Sequence, residues 1–297
     1  ADGLAAWSGA PGDSAFASAA GDVWINTATP PGEAPLPGSA DYLMMLREIA
    51  HALGLAQPGL YPGGPGGLTY GDDAQIWQDS AQFTVMSAFG ADAPTGALLP
   101  DGIGASNLHP DSLGIHDMLA LHQIYGANTA TRAGHSTYGF GSTESGIYDF
   151  TQNLDPMLTI WDGGGRDMLD LSLYAADQVI RLEAGRYSDV GGFTGNLGIA
   201  FGTLIEDTRA GRGDDSLFGN AAGNRLYGQD GTDRLEGGAG DDTLYGGTGT
   251  DTLLGGLGND VLYAEDMVSG VAQPQNFQLI ATDPALRMPP PTHPHRL

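Results

Sequence analysis

Between residues 210 and 263 the chain repeats itself every nine residues, and few folds accept such a period. AGRGDDSLF, GNAAGNRLY, GQDGTDRLE, GGAGDDTLY, GGTGTDTLL and GGLGNDVLY follow without a break, with leucine always in eighth place: Leu217, Leu226, Leu235, Leu244, Leu253 and Leu262. A flexible acidic linker has no reason to keep those leucines in phase. Each unit reads instead as a tight turn built on glycine, then a short strand whose leucine points inward. Two units make one coil of 18 residues, the pattern of a calcium-binding parallel β-roll.

Stacked turns bring backbone carbonyls and the aspartates in sixth place together, and these are the hard oxygen ligands calcium prefers. Without an ion the carboxylates repel, so folding and calcium uptake are expected to be coupled. The spacing sets Gly211, Gly213 and Asp215 against Gly228, Asp230 and Asp233. It likewise sets Gln229, Gly231 and Asp233 against Gly246, Thr248 and Asp251, and Gly238, Gly240 and Asp242 against Gly255, Leu257 and Asp260. The pairing of Asn220, Ala222 and Asn224 with Gly237, Ala239 and Asp242 lacks one carboxylate and is expected to be weaker.

The 36 acidic residues against 11 Lys and Arg give a net charge of −25, which repels nucleic acid and anionic membrane and attracts divalent cations. Cysteine is absent, so disulfides and thiolate metal sites are excluded. No run of 18 apolar residues is present to span a bilayer as a helix. No charged and apolar leader precedes Ala1, so an N-terminal export signal is expected to be lacking or already removed.

Residues 1–128 read as mixed α and β structure. GDVWINTA (21–28) alternates like a strand. A helix is predicted over 41–53, where Leu43, Leu46, Ile49, Ala50 and Leu53 share a face and Gly54 follows. A second is predicted over 112–125, capped by Asp111 and followed by Gly126. From Tyr138 onward helical periodicity gives way to short apolar runs between glycines and aspartates, and 268–297 forms a Pro-rich tail expected to lack a core of its own.

Several segments resemble the serralysin group of secreted RTX metalloproteases, the M10 peptidases of metzincin type. They are EIAHALGL, TVMSAF (like the family's Met-turn), HQIYGANTATRAGHSTYGF, WDGGGRDMLDLS, YSDVGGFTGN and GTLIED, in order ahead of the repeats. The resemblance implies a truncated α+β metzincin-like domain (1–128) followed by an all-β domain (129–267) that ends in the roll. It implies extracellular location, with type I export inferred from the repeats. It also implies a calcium site at the junction, formed by Arg132, Gly134, Ser136, Asp162, Gly164, Gly165, Asp167, Leu204 and Glu206. The upstream half of the family's protease domain and its final β-sandwich are not recognisable.

The family's zinc motif, H-E-x-x-H-x-x-G-x-x-H, is altered here. In REIAHALGLAQ, residues 47–57, Glu48 stands at the general base and His51 at one ligand, but Arg47 and Gln57 occupy the other two ligand places. A guanidinium is always protonated, and beside a divalent ion at about 4 Å it costs on the order of 8 kcal/mol at an effective dielectric near 20. The tyrosine that follows the family's Met-turn methionine is replaced by Ala88. His109, His116 and His122 remain as substitutes, although the last two do not share a helix face. The expectation is a calcium-binding pseudoprotease, zinc-free, acting as a binding or structural module with an extended peptide or protein as partner. The rival expectation is an active metalloendopeptidase hydrolysing extracellular proteins through an unorthodox site. Oligomeric state is left open.

Overall fold

The computed structural model describes residues 6–8, 23–25, 35–59, 70–74, 76–89, 109–264 and 278–279. Near the start, β1 (Ala6–Ser8) pairs antiparallel with β2 (Val23–Ile25), so the alternating segment does hold a strand; its flanks lie outside the described residues. Helix α1 (Ala40–Ala52) begins at Ser39, whose hydroxyl accepts from the Tyr42 N–H at 3.2 Å. It stops where the chain turns left-handed at Gly54, with φ of 96°, a conformation glycine adopts without strain. A single turn, α2 (Tyr70–Asp73), precedes the Met-containing loop of residues 76–89.

Helix α3 (Ile115–Tyr125) starts later than predicted, and Asp111 does not cap it. Gly114 takes the capping place, and the carboxylate of Asp117, in the first turn, accepts from its N–H at 2.9 Å. Asp111 is engaged elsewhere, accepting from the Met157 N–H and the Asn153 side chain, both at 2.9 Å. Asp111 lies three residues before the cap and is already committed to the all-β part, so Asp117 serves the first turn instead.

Among the described residues seven further short strands lie between α3 and the repeats: β3 (Thr137–Gly139), β4 (Leu158–Ile160), β5 (Met168–Asp170), β6 (Val179–Arg181), β7 (Tyr187–Ser188), β8 (Leu197–Ile199) and β9 (Asp207–Arg209). The repeats supply β10 (Ser216–Phe218), β11 (Arg225–Gly231), β12 (Arg234–Ala239), β13 (Thr243–Gly249), β14 (Thr252–Leu257) and β15 (Val261–Tyr263). One parallel sheet runs β3-β5-β9-β11-β13-β15 and a second runs β6-β10-β12-β14, joined by β16 (Gln278–Leu279) from the tail. The remainder of 268–297 lies outside the described residues.

Register pairs Leu217 with Leu235, Leu226 with Leu244 and Leu235 with Leu253, one coil apart as the nonapeptides require. Leu217, Leu226, Leu235, Leu244 and Leu253 are buried in one core with Tyr138, Leu169, Ile180 and Ile205. Each such side chain contributes about 2 kcal/mol by leaving water. The roll begins well before residue 210, because β3, β5 and β9 are already stacked in line with β11. Insertions between those early strands hide the nine-residue period from the sequence.

A smaller core, Ala50, Leu55, Val85 and Met86 with Leu43, Leu46 and Leu121 against it, joins α1 to the Met-containing loop and α3. This unit is bolted to the all-β part. Tyr187 donates its hydroxyl to the Gln82 carbonyl at 2.6 Å, Gln82 donates its amide to the Gly195 carbonyl at 3.0 Å, and the Thr159 N–H donates to Ser112 Oγ at 2.8 Å. The Phe83 ring fills the seam, edge-on to Tyr187 and stacked on His116.

Candidate metal centres

Glycine-ended α1 carries Arg47, Glu48 and His51 along the cleft where the zinc motif would sit. The guanidinium of Arg47 turns onto the Met-containing loop, donating Nε–H to the Val85 carbonyl at 2.8 Å and Nη2–H to the Ser87 carbonyl at 2.5 Å. That loop is held rigidly from behind. Ser87 Oγ donates to the buried Asp79 at 2.8 Å, and Asp117 accepts from Thr84 Oγ1 at 2.5 Å and from the Val85 N–H at 2.8 Å. Burial raises the Asp117 carboxyl above the usual carboxylate range.

His51 Nδ1 lies 2.9 Å from the Leu55 carbonyl, which fixes the proton on that nitrogen. A concavity of about 470 Å³ opens between Arg47, Glu48, His51, Ala56, Gln57, Gly59 and Met86. His116 stacks on Phe83 and His122 lies edge-on to Trp161, so neither reaches this cleft. Burial and the nearby positive charge of Arg47 lower the pKa of His109. Among the described residues lining this cleft His51 supplies the one imidazole, and the guanidinium tied into the wall beside it is unlike a zinc ligand. The described residues of this cleft do not fit that metal.

At the junction, the structure gathers most of the residues expected there. Ser136 N–H donates to Asp167 Oδ1 at 2.7 Å, Asp167 N–H to Glu206 Oε2 at 2.8 Å, and Gly164 N–H to Asp162 Oδ1 at 2.8 Å. Tyr138 donates its hydroxyl to Asp162 Oδ2 at 2.5 Å. A Cβ on Gly165 would lie 2.2 Å from the Gly134 carbonyl and 2.9 Å from Asp167 Oδ1, so this cradle has room only for backbone. Arg132, with φ of 50°, donates to the Trp161 carbonyl at 2.5 Å, and Leu204 is exposed. Asp167 Oδ2 is buried without a donor, and its carboxyl is raised to about 6 by burial and then by the neighbouring Asp162 and Glu206.

In the roll, aspartates one coil apart are chained through the backbone. Asp215 N–H donates to Asp233 Oδ1 at 2.8 Å, Asp233 N–H to Asp251 Oδ1 at 3.0 Å, and Asp242 N–H to Asp260 Oδ1 at 3.0 Å. The second oxygens of Asp233, Asp242 and Asp251 are buried with no hydrogen-bond donor. Burial, followed by the facing Asp215 and Asp251 carboxylates, pushes Asp233 up to about 8; burial raises Asp215 and Asp242 to about 6. A Cβ on Gly228 would sit 2.3 Å from Asp233 Oδ2 and 2.4 Å from the Gly246 carbonyl, so those oxygens converge on a space that glycine leaves open. Buried anionic oxygens without donors, beside carbonyls, fit a hard cation. Among the described residues no three His, Asp or Glu side chains form a group that could hold a metal ion.

The family model described as Peptidase M10 serralysin C terminal matches residues 127–276, which holds the junction cradle and every repeat. This chain belongs to the serralysin family. Among its curated relatives, the metallopeptidase AprA of Pseudomonas marginalis is 38% identical over 225 residues, covering 75% of this chain and 46% of that protein. Serralysin C of Dickeya chrysanthemi is 42% identical over 185 residues (61% and 37%), and the serralysin of Proteus mirabilis 39% over 197 residues (65% and 38%). The chain spans less than half the length of these serralysins.

In this chain, sequence reasoning missed the network around Asp117 and Asp79 that stiffens the Met-containing loop. Its one visible trace was an acid three residues after Gly114, where a helix first turn welcomes it.

Proposed function

We propose that this chain is a secreted, calcium-binding serralysin relative whose zinc cup has lost its metal, and that it works as a binding or structural module rather than as a protease. The carrying observation is the guanidinium of Arg47, hydrogen-bonded to the Val85 and Ser87 carbonyls on the ground where a zinc-ligating imidazole would stand. Glu48 then has no metal-polarised water to deprotonate. The cleft beside Arg47, Glu48, His51, Gln57 and Met86 is an open, partly apolar trough suited to an extended peptide.

Calcium would be held by carboxylates and carbonyls at two kinds of place. At the junction these are Asp162, Asp167 and Glu206 with carbonyls near Arg132, Gly134, Gly164 and Gly165; in the roll they are Asp215, Asp233, Asp242, Asp251 and Asp260 with the turn carbonyls. The donorless second oxygens of Asp167, Asp233, Asp242 and Asp251 support this assignment. When bound, the ion neutralises stacked charge and closes the coils.

Its relatives' names favour the other reading, a working metalloendopeptidase, and casein hydrolysis separates the two. The proposal expects no cleavage with or without added zinc and no change on Glu48→Gln. Cleavage that disappears with Glu48→Gln and with a zinc chelator would establish the protease instead.

A further inference from the structure

We propose that the turn from Asn220 to Asn224 is a calcium-free clasp, in which two side-chain amides do what a cation does at the aspartate turns. The inference rests on the calcium reading given above. Register fixes the comparison. Strands β9, β11, β13 and β15 pair one coil apart, so Glu206, Asn224, Asp242 and Asp260, each just before its strand, stand in a row along one edge. Asp215, Asp233 and Asp251 form the matching row on the other edge, ahead of β10, β12 and β14.

Along both rows one atom behaves alike. Asn224 N–H donates to Asp242 Oδ1 at 2.8 Å, just as Asp215 and Asp233 do to their own neighbours. The second side-chain atom differs. At Asp233, Asp242 and Asp251 it is a buried oxygen with no donor. At Asn224 the matching oxygen is Oδ1, which would lie 2.4 Å from a Cβ on Gly219 and accepts from the Asn220 N–H at 2.9 Å, while both hydrogens of Nδ2 are used, toward the Glu206 carbonyl at 2.8 Å and Asn220 Oδ1 at 3.1 Å.

Asn220 completes the clasp. Its Nδ2 donates to the Ile205 carbonyl at 2.8 Å and the Leu182 carbonyl at 3.2 Å, and its Oδ1 accepts from the Ala222 N–H at 3.0 Å. The partners dictate which way each amide points, since an N–H must face a carbonyl and an oxygen must face an N–H. A carboxylate at 224 would set oxygen against oxygen where Nδ2 now meets the Glu206 carbonyl, and it would put a full negative charge into a turn that is now neutral, as at the aspartate turns. The Asn224 turn is therefore closed without an ion. It ties the coils upstream of the repeats to the first repeats and gives the calcium-dependent coils a folded edge on which to form.

Calcium counted per chain at saturating free calcium, on the full chain and its Asn224→Asp variant, tests the clasp. The variant is expected to bind one more calcium than the parent and, in chelator, to unfold at a lower temperature. An unchanged calcium count overturns the proposal. Hydrogen exchange of the parent in chelator gives a reading independent of whether the variant folds. The amides of Asn220, Ala222 and Asn224 are expected to keep their protection while those of Asp233 and Thr252 exchange about tenfold faster or more than with calcium. Equal loss of protection at both places overturns the clasp while leaving the calcium reading intact; a parent chain that binds no calcium overturns both.

Discussion

The guanidinium of Arg47 spans from α1 to the carbonyls of Val85 and Ser87, so its removal leaves two partly buried acceptors without their charged donor. Hydrogen bonds from a charged group to a neutral one are worth about 1.5–3 kcal/mol each, although they share one side chain here and do not add fully. Arg47→Ala is expected to destabilise the N-terminal unit by about 2–3 kcal/mol in chemical denaturation. Added zinc should not restore it. A variant as stable as the parent, or rescued by zinc, would show that the arginine does not hold the loop. That Arg47 stands at a ligand place of the family's motif is read from REIAHALGLAQ, because an i, i+4 pair of histidines is needed to grip one ion from a helix. Where the guanidinium would turn was not, since a long side chain takes its direction from acceptors 38 and 40 residues away.

At the scale of the element, each coil of the roll stacks buried carboxylates that cannot all be charged in the absence of a cation. Asp233 is raised to about 8 from 3.8, and Asp167, Asp215 and Asp242 to about 6, with burial the leading cause in every case. A carboxyl with a raised folded pKa holds its proton more tightly in the folded state than in the unfolded one. The folded state then binds more protons between the two values, and stability falls as pH rises through that window. In chelator the roll is therefore expected to melt at a higher temperature near pH 5 than near pH 8. Calcium should abolish that trend, because a bound cation favours the charged carboxylates. A calcium-free roll equally stable at both values would contradict the buried stack. The nonapeptides made β10 to β15 readable from phase alone, since leucine in eighth place can face only one way. Strands β3 to β9 escaped, because insertions between coils erase the period while the same ladder continues through them. The helix start at Ile115 escaped for a different reason: Asp111 had a better partner in Met157 than in the helix it precedes.

For the whole molecule, a net charge of −25 opposes compaction unless cations are taken up, and the orphaned oxygens of the junction and the roll are where such uptake does most good. The N-terminal unit leans on that folded roll. Gln82 and Phe83, immediately before the Met-containing turn, are held by Tyr187 and Gly195, so on the proposed reading calcium bound to the roll would also steady the cleft beside Arg47. On the same reading, one part of the family's metal chemistry is kept and the other gives way to hydrogen bonds. Metal content of the chain, purified without added zinc and then equilibrated with both ions, tests this most directly. The expected result is several calcium ions and no zinc per chain. One tightly held zinc per chain, with an anomalous signal beside His51, would contradict it.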